Sequence, residues 1–103
     1  MTYCIIFSTA GSETEAKKIA DALLSVRAAS CVQMTPIQSA YHWEGKIERA
    51  DEIHLLIKTK DELYSKAEEI ILANHSYKTP QIVKVPITGG LPAYLDWIKD
   101  ETN

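Results

Sequence analysis

The segment Ala40–Thr59, AYHWEGKIERADEIHLLIKT, decides the fold. It holds His42, His54, Trp43, Glu44, Glu48 and Glu52, so it reads first as a metal site, a catalytic site or a hairpin. Gly45 accepts the positive φ that a two-residue connection or a G1 bulge requires, which makes Glu44-Gly45 a turn between two strands. A turn there pairs residues whose numbers sum to about 89, setting His42 against Ile47, Tyr41 against Glu48, Trp43 against Lys46 and His54 against Thr35. The two histidines then lie seven positions apart along the ladder, roughly 23 Å, too far to share one ion within a subunit. A hairpin is the reading that survives.

The strands extend on both sides of that turn. The incoming strand runs from Cys31 to Trp43 and contains Pro36, whose missing N–H confines it to an edge, a strand end or a bulge, so a bend is expected there. The outgoing strand runs from Lys46 to Thr59, most apolar at EIHLLIKT. On one hairpin face stand Tyr41, Trp43, Lys46 and Glu48. Lys46 over the Trp43 indole would support the hairpin; a subunit contact is the favoured alternative, because Trp and Tyr bury much area at low entropic cost.

Upstream, TYCIIFSTA is a short β-branched, aromatic run that reads as a buried strand. In GSETEAKKIADALLSVRAAS, Ser12 and Glu15 form a possible capping box. Ala16, Ile19, Ala20, Leu23 and Leu24 follow at helical spacing on one buried face. Downstream, KDELYSKAEEIILANHS returns to that period with Leu63, Ala67, Ile70 and Ile71 on one stripe and Asn74 as a plausible end. PQIVKVPI is a fourth strand between Pro80 and Pro86, and TGGLPAYLDWIKD is a turn followed by a helix with Pro92 near its start. The order is β-α-β-β-α-β with a terminal helix. Right-handed crossovers then make an α+β, ferredoxin-like split β-α-β sandwich with an antiparallel sheet the simplest topology, over a single domain spanning residues 1–103. Two helices cover one sheet face. The other should not stay open, which argues for an oligomer.

Composition narrows the function. The chain has 103 residues, 46% apolar and 24% charged, with a formal charge of -3, typical of a globular protein and giving no electrostatic reason to bind nucleic acid. Cys4 and Cys31 lie in apolar runs outside any paired spacing and read as reduced, mostly buried thiols. MTYCIIFSTAG lacks a basic n-region followed by a long apolar stretch, and no run of about 18 apolar residues occurs, so neither secretion nor membrane insertion is expected and a cytoplasmic location is. The acids sit in charge-mixed helical faces or beside the hairpin and read as solvated. No G-x-S-x-G, Walker-type or G-x-G-x-x-G sequence is present, and Ser8 and Thr9 have no base nearby, so an enzyme is not expected. Thr88–Gly90 permits a turn or offers N–H groups to an anion. In NHSYKTP, His75 is either a metal ligand or a histidine interacting with the last carbonyls of its helix.

ASCVQM, YHWEGKIE, LLIKTK, NHSYKTPQIVKVPI and YLDWI, in this order, closely resemble the CutA divalent-cation tolerance family over essentially the whole chain. The resemblance implies a homotrimer similar to PII-type signalling proteins, with hairpins from neighbouring subunits extending one another's sheets. Tyr41, Trp43, Glu44, Lys46 and Glu48 are then interface residues. It also implies a link to copper and other divalent ions, through a cysteine at the end of the first strand and a histidine pair before the tyrosine. Those positions hold Ser8, Asn74 and His75 here, and Cys31 matches the family's A-C-V cysteine. Loss of one thiolate and one imidazole leaves a weak site for Cu2+ or another divalent cation around His75. The resulting expectation is a non-enzymatic trimer for metal tolerance, with a PII-like small-ligand sensor or a scaffolding trimer as alternatives.

Overall fold

The computed structural model describes residues 1–103. Its elements are β1 (Tyr3–Ala10), α1 (Glu13–Ser25), β2 (Cys31–Trp43), β3 (Lys46–Lys60), a 3₁₀ turn (Asp61–Leu63) leading into α2 (Tyr64–Asn74), β4 (Ile82–Ile87) and α3 (Pro92–Glu101). The strands form one sheet in the order β2-β3-β1-β4, every neighbouring pair antiparallel, which is the ferredoxin-like arrangement.

The hairpin follows the pairing read from its turn: Trp43 faces Lys46, Tyr41 faces Glu48, His42 faces Ile47 and His54 faces Thr35. Glu44 and Gly45 both take positive φ, 50° and 77°, as a type I′ turn demands. Pairing runs unbroken through Pro36, opposite Ile53, and of the three settings open to that proline the edge is the one found. Because β2 is an edge strand, the missing N–H of Pro36 leaves no ladder bond unmade. β1 reaches only Ile53–Lys60 of β3, so Ile37–Trp43 and Lys46–Glu52 project beyond the sheet as a two-stranded arm about 20 Å long.

Alternation along the strands builds the core on one face. Cys4 and Ile6 of β1 and Leu55 and Ile57 of β3 meet Ala16, Ile19 and Leu23 of α1 and Ala67 and Ile71 of α2. Leu24, expected on that face, is 40% exposed, because it falls at the margin of the stripe. Both cysteines are free thiols; Cys4 is buried and pushed up to about 11 mainly by that burial, whereas Cys31 is only half-buried.

The opposite sheet face is partly covered. Lys58 and Lys60 alternate with core-facing Ile57 and Thr59 and point the other way, where Lys58 Nζ lies 3.1 Å from Tyr94 Oη and Lys60 Nζ donates to the Thr102 carbonyl at 3.2 Å. α3 therefore lies across one end of this face. Val83 and Val85 on the same face of β4 remain 45% and 38% exposed.

Candidate functional site

Three elements converge on His75. It ends α2, its side chain is fully buried, and both ring nitrogens are engaged. Nε2 lies 2.6 Å from the Thr9 carbonyl at the end of β1, and Nδ1 lies 3.1 Å from the Tyr77 backbone nitrogen. A carbonyl only accepts, so the proton sits on Nε2 and Nδ1 receives the Tyr77 N–H. The ring also packs on Tyr77 with centroids 4.8 Å apart.

The network continues to both sides. Tyr77 Oη donates to Glu52 Oε2 at 2.8 Å, joining the segment after α2 to the base of the hairpin arm. Burial first, then this bond and the Glu52 charge, push the Tyr77 phenol up to about 12. Gly11 packs closely beside it: a Cβ there would lie 3.1 Å from Tyr77 Oη, so the phenol would have to give by a few tenths of an ångström. On the α1 side, Ser12 caps the helix by accepting the Glu15 N–H at 3.2 Å, as expected of a capping box. The Glu15 carboxylate does not complete that box. It accepts the Ser76 N–H at 3.1 Å and lies 3.1 Å from His75 Nδ1. Burial alone would raise the Glu15 carboxyl, but the hydrogen bonds from Ser76, the charge of His75 in its protonated form and Lys18 outweigh it and hold it below its ordinary value.

The other positions named for metal are used locally. Asn74 Nδ2 donates to the Ile70 carbonyl at 2.8 Å, closing the last turn of α2. Ser8 Oγ donates to the Gln81 carbonyl at 2.8 Å. Cys31 pairs with Lys58, three rungs down the sheet and two strands across from Ser8, about 10 Å in each direction. No three His, Cys, Asp or Glu side chains are gathered as a metal centre. Reading all the acids as solvated fails at Glu52, only 8% exposed, and at Glu15, because each is drawn inward by a donor far away in sequence. His54 lies edge-on to Phe7, centroids 5.3 Å apart, on the sheet face away from the core.

On the arm, Tyr41, Trp43 and Ile47 are 43%, 54% and 64% exposed, and Glu44, Lys46 and Glu48 are exposed around them. The lysine–aromatic contacts of the subunit are Lys58 over Tyr94 and Lys84 over Tyr64, not Lys46 over Trp43. Between the arm and the start of α1 lies a cleft of about 480 Å³ lined in part by Gly11, Ser12, Pro36, Gln38, Asp51 and Glu52.

Fold and site define a small ferredoxin-like α+β protein whose partly buried polar network braces a projecting hairpin. Residues 4–101 match the family model described as CutA1 divalent ion tolerance protein. The chain belongs to that family. It is 46% identical over 97 residues to the divalent-cation tolerance protein CutA of Archaeoglobus fulgidus, covering 94% of each. It is 37% identical over 99 residues to the chloroplastic CutA of Arabidopsis thaliana, spanning 95% of this chain but only 54% of the plant protein. The solved structure of the A. fulgidus protein, described as periplasmic, superposes with a TM-score of 0.95 at 42% identity, covering 96% of this chain and 97% of that one. No helix here is long and apolar enough to cross a membrane.

Proposed function

We propose that this chain, as one domain, acts as a non-enzymatic homotrimer in tolerance of divalent cations, and that it holds Cu2+ or a similar ion only weakly, at Glu15 and His75 near a subunit boundary. The observation that carries the reading is the arm. A two-stranded ribbon with exposed Tyr41, Trp43 and Ile47 has little reason to be stable in water alone, and it belongs against a partner. The valine-bearing face of β4 supplies a complementary apolar surface on another copy. Weak cation affinity follows from the site's occupancy: an ion reaching His75 Nδ1 and Glu15 has to displace the N–H groups of Tyr77 and Ser76. Two free thiols suit a reducing compartment, here read as the cytoplasm.

Sedimentation velocity with wild type and Trp43→Ala tests the assembly: the wild type runs as a trimer and the variant shifts toward monomer. A wild type that stays monomeric at micromolar concentration overturns it. Copper titration followed by visible absorbance tests the site. Saturation comes only at high copper, and His75→Ala and Glu15→Gln each abolish the band; superimposable titrations remove His75 from the account.

A further inference from the structure

His54 stands where the copies of the proposed trimer close on one another. On β1, Phe7 faces Leu56 on one side and Val83 on the other, so these three side chains share the sheet face away from the core. His54 takes the next position of that face toward the arm, opposite Thr9 of β1 and Thr35 of β2, with its ring edge-on to Phe7 at 5.3 Å. It is half-buried in the separate chain, as are Phe7 and Leu56. An arm of a second copy that seats Tyr41 and Trp43 on Val83 and Val85 reaches Phe7 next, and the ring contact carries the cover on to His54.

No buried side-chain nitrogen or oxygen of the chain lacks a hydrogen bond, and the His54 nitrogens make none, so in the separate chain they face solvent. Covering them costs little for a neutral ring and much for a charged one, unless a counter-charge comes with the cover. The sheet supplies little of one. Phe7 and Thr9 of β1 and Gln33 and Thr35 of β2 are uncharged. On β3 the same face carries Glu52 two positions away, its Oε2 already accepting from Tyr77, and Lys58 four positions away on the other side. From the segment after α2 come that tyrosine and His75, which reaches the Thr9 carbonyl. The covering arm carries Glu44, Lys46 and Glu48, of mixed sign, around its aromatic side chains.

Given that trimer, on which this reading rests, we propose that His54 makes it acid-labile: three neutral imidazoles are buried as the copies close, and protonating them drives the copies apart. Histidine changes charge between about pH 5 and 8. Each proton that assembly excludes lowers the association constant by up to about tenfold per pH unit, so three lower it by up to about 1,000-fold. The chain concentration at half-dissociation follows the square root of that constant and moves by up to about 30-fold per unit.

Fluorescence-detected sedimentation over a dilution series tests this, in a fixed urea concentration that brings wild-type half-dissociation at the higher pH into the measured range. Between about pH 7.5 and 5.5 the wild-type midpoint concentration should rise at least about tenfold. His54→Gln should assemble at the higher pH and keep its midpoint within about threefold across that interval. Should glutamine itself prevent assembly, His54→Phe, which extends the apolar face, should give a trimer equally indifferent to pH. His42→Gln, on the opposite face of the arm, should respond as the wild type does. A wild type that is monomeric at the higher pH without urea removes the trimer and this proposal together. A wild-type trimer with the same midpoint at both pH values overturns the role of His54 alone, as does a pH response that survives in His54→Gln or His54→Phe. A trimer that tightens in acid overturns it too, since a carboxylate of the neighbouring copy then meets the ring.

Discussion

Replacing His75 by alanine separates a bracing histidine from a free ligand, because the two roles predict different behaviour of the metal-free protein. The ring is fully buried, and its removal leaves the carbonyl of Thr9, a residue only 6% exposed, without its donor. An unmet buried acceptor costs about 1–3 kcal/mol. Lost apolar burial of the ring adds about 1–2 kcal/mol, and the lost packing on Tyr77 about 0.5–1 kcal/mol. The Tyr77 N–H lies at an exposed position and is rehydrated, so it adds little. The expected loss is about 2.5–6 kcal/mol, comparable to large core truncations. For a chain of this size a urea m-value near 1.5 kcal/mol/M turns that loss into a midpoint shift of about 2–4 M. The assay is equilibrium urea unfolding in chelator, both proteins at the same chain concentration, since the proposed assembly would make stability concentration-dependent. A midpoint equivalent to less than about 0.5 kcal/mol of change, as for an ordinary surface substitution, would refute the bracing role.

Acid unfolding should report Glu15. Its carboxyl is held below the ordinary value of 4.5 in the fold, so its contribution is complete above that pH and is lost as pH falls through the lower folded value. Glu15→Gln should flatten the acid limb of a stability–pH profile below about pH 4.5; an unchanged limb would mean that the carboxylate is not stabilised by the Ser76 N–H and the protonated His75 ring. Tyr77 gives the alkaline counterpart. Raised from 10 to about 12, it stabilises below pH 10 and loses that contribution as pH rises through 12. Tyr77→Phe should lower neutral-pH stability by about 1 kcal/mol and remove that limb; a neutral effect would dismiss the bond to Glu52. Glu44→Asn, at φ 50°, should raise the melting temperature by about 2–4 °C, since asparagine suits a type I′ turn. A lower trimer fraction in that variant would instead place the Glu44 carboxylate in a subunit contact.

The hairpin was legible because two local rules agreed: Glu44-Gly45 defines the turn, and the turn numbers every pair from Trp43–Lys46 to Thr35–His54. The core stripe of α1 was legible through its period, except at Leu24 on the stripe's margin. The polar network was not, because its bonds cross long sequence separations. Glu15 carried a local assignment, the capping box, and only tertiary packing shows its carboxylate turned toward Ser76 instead. Glu52 looked like any acid in a mixed hairpin, and nothing within several residues of it marks a tyrosine as its partner. The position of α3 was hidden for the same reason: its own pattern shows a helix, but the lysines that hold it are two strand residues of β3, alternating with core positions.

The spacing His75-x-Tyr77 is better explained by packing than by coordination. One residue, Ser76, separates the ring from a backbone N–H that folds back onto Nδ1, which leaves Nε2 free to cross to β1 and the tyrosine side chain free to cross to β3. One short segment thereby ties the end of α2, the end of β1 and the root of the arm into a single network. A metal ligand needs an unshared nitrogen lone pair, and this geometry spends the only one available on a backbone donor. The arm in turn depends on the network, because Glu52 is the last β3 residue before the pairing with β1 begins at Ile53. In the proposed trimer, loosening Tyr77 from Glu52 should therefore be felt at Trp43 and Tyr41, and Tyr77→Phe should weaken that assembly as well as the fold.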